Sequence, residues 1–138
     1  MASFVFLKAK AAFAKGGIDW LTDVIRAFPV NAIPNQDTAE FVSDVSGTEI
    51  GAARVTLGTM AVNEDAAGDE VELDAADFTH SAVASGSTAV GSILYKQVGG
   101  DDTTPANDPV ICFLDYADTP TNGGDLIVQL DAEGAIKF

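Results

Sequence analysis

The sequence predicts a mainly β protein, a small antiparallel β-sandwich or barrel of seven or eight strands with one N-terminal helix. Two observations carry this expectation. The last third of the chain holds four short apolar runs, rich in β-branched and aromatic residues and bounded by Gly, Pro, Asn or Asp: 92–98, 109–116, 125–131 and 135–138. The first fifteen residues instead show a helical period, with Phe6, Ala9 and Phe13 at i, i+3 and i+7. A chain of 138 residues with 47% hydrophobic and 20% charged residues can bury a core without staples, so one β-rich domain over 1–138 is expected.

The elements follow in order. Ser3 is placed to cap a helix over 3–15, and Gly16-Gly17 to stop it, giving a helical N-terminal segment over 1–17. A signal peptide fits poorly, because no basic region precedes Phe4-Val-Phe-Leu and Lys8 and Lys10 break the apolar stretch. No run approaches the length of a membrane span. Trp20 to Val30 reads as the first strand, ending at Pro29 because proline cannot donate to a ladder. Asp37 is placed to cap a short turn with Glu40 at the capping-box spacing. Ala53 to Val62 reads as a strand with Val55 and Leu57 on one face. Val71 and Leu73 alternate with acids, as on a charged edge strand, and Phe78 to Val83 follows as another.

In the last third, Val110 to Tyr116 is apolar on both faces except at Asp115, which suits a covered central strand. Leu126, Val128 and Leu130 alternate with Ile127, Gln129 and Asp131, as on a half-buried neighbour of the same sheet. Asp131 to Gly134 is a tight turn that returns Ile136 and Phe138 to the buried face.

The charge excludes one class of partner. With 21 acids against 7 bases the chain carries −14, and binding a phosphate backbone needs clustered Lys and Arg. Neither nucleic acid nor a membrane is expected as a partner. The charge is also uneven. Residues 1–18 carry +3 from Lys8, Lys10 and Lys15 with no acid, and residues 19–138 carry −17. Two readings compete for this segment. In one, an amphipathic helix covers an end of the sheet and its lysines offset nearby acids. In the other, Phe4 and Phe6 anchor, and Lys8, Lys10 and Lys15 steer, contact with an acidic partner.

Chemistry has little foothold. Cys112 sits in the most apolar run and has no second Cys to pair with. His80 is the only histidine, too few for a nitrogen–sulfur metal site, and no Gly-x-Ser-x-Gly turn accompanies it. Two acid-rich loops, Asp65 to Glu72 and Asp118 to Asp125, invite calcium, but neither has the spacing of a helix–loop–helix calcium loop. No metal, cofactor or catalytic residue is expected. Trp20, Tyr95 and Tyr116 suit either the core or a carbohydrate-stacking platform, with the core preferred.

The order of motifs resembles a family of small structural proteins of tailed-bacteriophage virions, encoded among head and tail genes. The likeness lies in Gly-Gly-Ile-Asp-Trp-Leu-Thr-Asp-Val-Ile-Arg-Ala (16–27) and Glu-Phe-Val-Ser-Asp-Val-Ser-Gly-Thr-Glu-Ile (40–50). It continues in Asp-Ala-Ala-Asp-Phe-Thr (74–79), Ile-Leu-Tyr-Lys (93–96), Ile-Cys-Phe-Leu-Asp-Tyr (111–116) and the closing Asp-Ala-Glu-Gly-Ala-Ile-Lys-Phe (131–138). Two segments depart from that pattern: Gly51-Ala-Ala-Arg-Val-Thr-Leu, where relatives have a Tyr-Thr-x-Gly-Gly-like stretch, and Thr88-Ala-Val-Gly-Ser, where they have Ala-Arg-Tyr. The resemblance implies a non-enzymatic capsid decoration (cement) protein on the virion surface. Its partner would be the major capsid protein, with contact between copies of itself left open. A tail- or fibre-associated component is the alternative within the family, and a carbohydrate-binding adhesion module the alternative outside it.

Overall fold

The computed structural model describes residues 3–132 and 134–138. It is mainly β, with antiparallel sheets and one α-helix. Strands β1 (Phe4–Val5), β2 (Ile25–Val30), β3 (Val55–Thr56), β7 (Thr88–Lys96) and β8 (Val110–Pro120) form a five-stranded sheet in the order β1-β8-β7-β2-β3. A second layer combines β4 (Ala61–Asp65), β5 (Glu70–Asp74) and β10 (Ile136–Lys137) with the pair β6 (Phe78–His80) and β9 (Leu126–Val128). β5 and β6 run end to end. β9 and β10 run back beside them, since Leu126 lies opposite His80, Val128 opposite Phe78 and Ile136 opposite Leu73. The result is sandwich-like.

One apolar cluster joins the layers, with Ile25, Ala27, Leu94 and Cys112 from the first sheet and Leu73, Phe78, Val128 and Ile136 from the second. The Trp20 indole N–H donates to the Asp74 carbonyl at 2.9 Å, tying the segment before β2 to the second layer. The opposite face of the five-stranded sheet is also covered. The 3-10 turns Val42–Asp44 and Ser46–Thr48 and the polar loop 99–109 lie over it, held by Val42 N–H to Asp108 C=O (2.9 Å) and Val110 N–H to Glu40 C=O (3.0 Å). That is why Val110 to Leu114 is buried on both faces.

A charged lattice fastens this cover. Arg54 donates from two nitrogens to Glu49, each at 2.8 Å, and its guanidinium lies over the Phe28 and Tyr95 rings at 4.9 and 5.2 Å. Asp102 accepts from the Tyr95 hydroxyl (2.6 Å), Gln97 (2.9 Å) and Arg26. Burial alone would raise the Asp102 carboxyl, but these hydrogen bonds and the Arg26 and Arg54 charges outweigh it and hold the group below its usual range. The stretch 99–107 is a polar loop between β7 and β8, and its Asp102 pins it to the sheet.

Several expected elements are corrected. The segment 1–17 is not helical throughout: the helix α1 spans Leu7–Ala14, Phe4–Val5 is a strand, and Met1 and Ala2 lie outside the described residues. Pairing opposite Phe113 and Cys112 buries the Phe4-Val5 run in a way that a helical turn would not. The Ser3 hydroxyl accepts the Asp115 N–H (2.8 Å) instead of capping the helix. The stop is as expected. Gly16 takes φ +77°, and Gly16 N–H to Phe13 C=O (3.1 Å) with Gly17 N–H to Ala12 C=O (2.8 Å) closes the helix end.

The first strand begins at Ile25 and runs through Pro29 to Val30. The Pro29 carbonyl accepts from Ile50 on the side away from β7, so its missing donor costs no ladder bond. Residues 53–62 split into β3 and β4, in different sheets, at Gly58-Thr59, where Thr59 has φ +54°. β5 is not an edge but the middle of β10-β5-β4. Asn35, not Asp37, caps the turn at 36–38 with bonds of 3.0 and 3.2 Å. The four C-terminal runs do not share one sheet: β7 and β8 pair together, β9 pairs with β6, and β10 with β5. The turn after Asp131 is closed by Gly134 N–H to Asp131 C=O (2.9 Å) with Gly134 at φ +93°, while Glu133 lies outside the described residues. Ile136 returns to the core, but Phe138 stays half exposed beside Phe13, ring centroids 5.3 Å apart.

Candidate partner-binding surface

α1 follows β1 directly, and the two place the predicted contact residues. Phe6 is completely buried, so it is no exposed anchor. Its ring meets Phe4 edge-on at 5.3 Å, and Phe4 in turn rests on Phe113 at 5.3 Å. Phe4 is half-buried. Both phenylalanines therefore fix the helix to the sheet instead of waiting for a partner. Phe6 thus serves as the first of the two readings of this segment expects, on the stripe with Ala9 and Phe13 that covers the sheet, and the anchoring role set for Phe6 in the second is not available to a buried ring.

The lysines are different. Ala9 faces the core and Ala12 and Phe13 are half-buried, which turns Lys8, Lys10 and Lys15 to solvent. The other four bases are all engaged. Arg26 pairs with Asp102, Arg54 with Glu49, Lys96 with Asp23 at 3.0 Å and Lys137 with Glu70 at 3.2 Å. Among the described residues, no acid lies within 4.0 Å of Lys8, Lys10 or Lys15. On a chain with 21 acids this separation is informative. Lys8 and Lys15 lie on one flank of the helix and Lys10 on the other, about 160° round, so the three are exposed basic groups on an acidic body with no close acidic partner among the described residues.

The acid clusters resolve differently from each other. Carboxylate oxygens of Asp65, Glu70 and Glu72 approach within 4.8 Å on the outer face of β4 and β5. Lys137 stands among them through its bond to Glu70, so a cation is already supplied there. In the other loop, Asp125 accepts the Ala82 N–H and Asn122 the Gly124 N–H, both at 2.9 Å, which spends these groups on turn geometry.

His80 is, as expected, a strand residue, but it has company that the sequence did not disclose. Its Nε2 lies 2.9 Å from the Ser92 hydroxyl, which lies 3.0 Å from the Tyr116 hydroxyl. His80 and Ser92 are completely buried between the layers, and His80 Nδ1 has no partner. A nucleophilic serine needs a base oriented by a third group and a path to substrate. This pair has neither. Cys112 is buried, which pushes its thiol up and leaves it a poor nucleophile. Trp20 and Tyr95 are buried and Tyr116 half-buried, so their rings belong to the core.

Burial pushes the His80 imidazole down to about 4. The unfolded chain takes up its proton near 6.5, so this contribution to stability is complete above that pH and declines as pH falls toward 4. The loss over this window is expected to reach about 3 kcal/mol. Urea unfolding of wild type and His80→Gln at a series of pH values checks it. The variant starts weaker but should show a shallower decline, whereas parallel curves would assign the acid sensitivity to the carboxylates.

Comparison with protein-family models, curated proteins and solved structures finds no match to this chain. Among the described residues, no helix is long and apolar enough to cross a membrane.

Proposed function

We propose that this chain is a non-enzymatic structural subunit of a bacteriophage virion, a capsid decoration protein that binds the outer shell by the exposed lysines of its N-terminal segment. The observation that carries the docking end is the set Lys8, Lys10 and Lys15, exposed and without ion-pair partners among the described residues on a protein of net charge −14. An acidic subunit approaching an acidic surface is repelled everywhere except at those lysines, which set both its encounter and its orientation. The major capsid protein as the partner rests on the motif resemblance over residues 16–138. A subunit that prefers the assembled shell stabilises it by mass action, without any chemistry of its own.

Copy number tests the location. Densitometry of purified virions, with electron microscopy of the same particles, is expected to find the chain in many copies over the shell. A handful of copies confined to the tail would move the protein to the tail or its fibres.

A further inference from the structure

Of the five prolines only Pro109 follows an aspartate, and the Asp108–Pro109 bond lies where the polar loop meets the start of β8. Such a bond has two chemical weaknesses. An aspartate carboxyl can close a five-membered ring on the carbonyl carbon of its own residue. The amide to proline is tertiary, and its nitrogen leaves as a secondary amine.

The fold places Asp108 unusually. The residue is completely buried. Its Oδ1 accepts the Val98 N–H at 2.9 Å, whereas Oδ2 is buried with no partner. Among the described residues only His80 Nδ1 shares that condition. A buried carboxylate oxygen without a donor is costly, and the cost falls when the carboxyl keeps its proton. The backbone on either side is fixed. The Asp108 carbonyl accepts the Val42 N–H at 2.9 Å, and the Pro109 carbonyl accepts the Lys96 N–H at 2.9 Å. The first of these donors is aimed at the oxygen on which charge would grow if the carbonyl carbon were attacked.

The nearby charges are divided. Burial raises the Asp108 carboxyl most; the Val98 hydrogen bond and the Arg54 guanidinium oppose it, and Asp102 and Asp101 of the same loop add to it. On the turn packed against the loop, Glu40 is exposed and the Asp44 carboxylate accepts the Glu40 and Phe41 N–H groups. Arg26 pairs with Asp102, and Lys96 with Asp23. The balance leaves Asp108 above its usual range.

We propose that Asp108 is a self-cleavage site, where its own side chain cuts the Asp108–Pro109 bond of the folded chain in mild acid. Oδ2 attacks the Asp108 carbonyl carbon, and the Val42 N–H meets the negative charge that develops on the carbonyl oxygen. The carboxyl proton passes to the Pro109 nitrogen as the C–N bond breaks. The products are a cyclic anhydride at Asp108 and a free amine at Pro109. One water then opens the anhydride to two carboxyl groups, so the sum is hydrolysis of one peptide bond. The fragment 109–138 carries β8, which stays paired with β1 and β7, so the cut chain holds together until it is denatured.

The test incubates the full chain at about pH 5, shown by circular dichroism to be folded, beside the same chain unfolded in guanidinium chloride, with intact mass as the readout. Fragments 1–108 and 109–138 are expected about tenfold faster from the folded chain. The folded rate should also persist to higher pH than the unfolded rate, because the raised carboxyl keeps its proton longer. Asp108→Asn keeps an acceptor for Val98 but has no acidic proton, and should slow the cut about a hundredfold. Pro109→Ala keeps the carboxyl but not the tertiary amide, and should slow it about tenfold. Cutting that is no faster in the folded wild type, a comparison that needs no variant to fold, would overturn the proposal. So would a wild-type rate in Asp108→Asn.

Discussion

Replacing Gly91 by alanine is expected to destabilise the fold by about 3 kcal/mol, more than any surface change in this protein. Gly91 lies within β7, opposite Val30 on one side and Asp115 on the other. A methyl group built there would stand 2.5 Å from the Leu114 carbonyl oxygen and closer still to the Phe113 ring. The ring covers the glycine because the glycine leaves room, a cross-strand diagonal that no side chain at 91 would allow. Phe113 in turn seats Phe4, and Phe4 meets Phe6 at the start of α1. Displacing the ring should therefore loosen β1 and the helix, not only the centre of the sheet. For a chain of this length the loss corresponds to a fall in Tm of about 10 °C. Phe113→Leu removes the ring's share of the clash but not that of the Leu114 carbonyl, so the double variant should be more stable than the sum of the single losses predicts. Strict additivity would mean that Phe113 is not what the methyl group strikes.

The sequence carried local structure better than it carried neighbours. The helical stripe Phe6, Ala9, Phe13 is real, as are the Gly16-Gly17 stop, the alternation of Leu126, Ile127 and Val128, and the Gly134 turn. Each depends on residues a few positions apart. What stayed hidden depends on residues far apart in the chain. Phe4-Val5 is a strand only because residues 112 and 113 lie beside it. β5 looked like an edge because it alternates with acids, yet β10 arrives from more than sixty positions away to cover it. The acids of β5 then find Lys137, a pairing that no pattern within 61–77 reveals.

The candidate surface divides the same way. Composition alone separated the three lysines from the acidic remainder, and helical phase turned Lys8 and Lys15 away from the apolar stripe. It could not show whether acids elsewhere in the chain fold back to meet them, as Glu49 meets Arg54 and Asp23 meets Lys96. Nor could it show that Phe6 is spent on the core. The His80–Ser92–Tyr116 line was equally invisible, being assembled from three strands in two layers.

The central claim is that the exposed lysines of the N-terminal segment are what dock. The most direct test is the variant Lys8→Glu/Lys10→Glu/Lys15→Glu, shown by circular dichroism to be folded and titrated onto shells assembled without the protein. All three side chains are exposed and have no ion-pair partner among the described residues, so the fold should survive the changes. Wild-type affinity should fall steeply between low and moderate salt, because the contact is electrostatic. The variant should bind on the order of a hundredfold more weakly at low salt, with the difference narrowing as salt screens it. Wild-type occupancy by the folded variant at both salts would contradict the account and return α1 to a purely structural role.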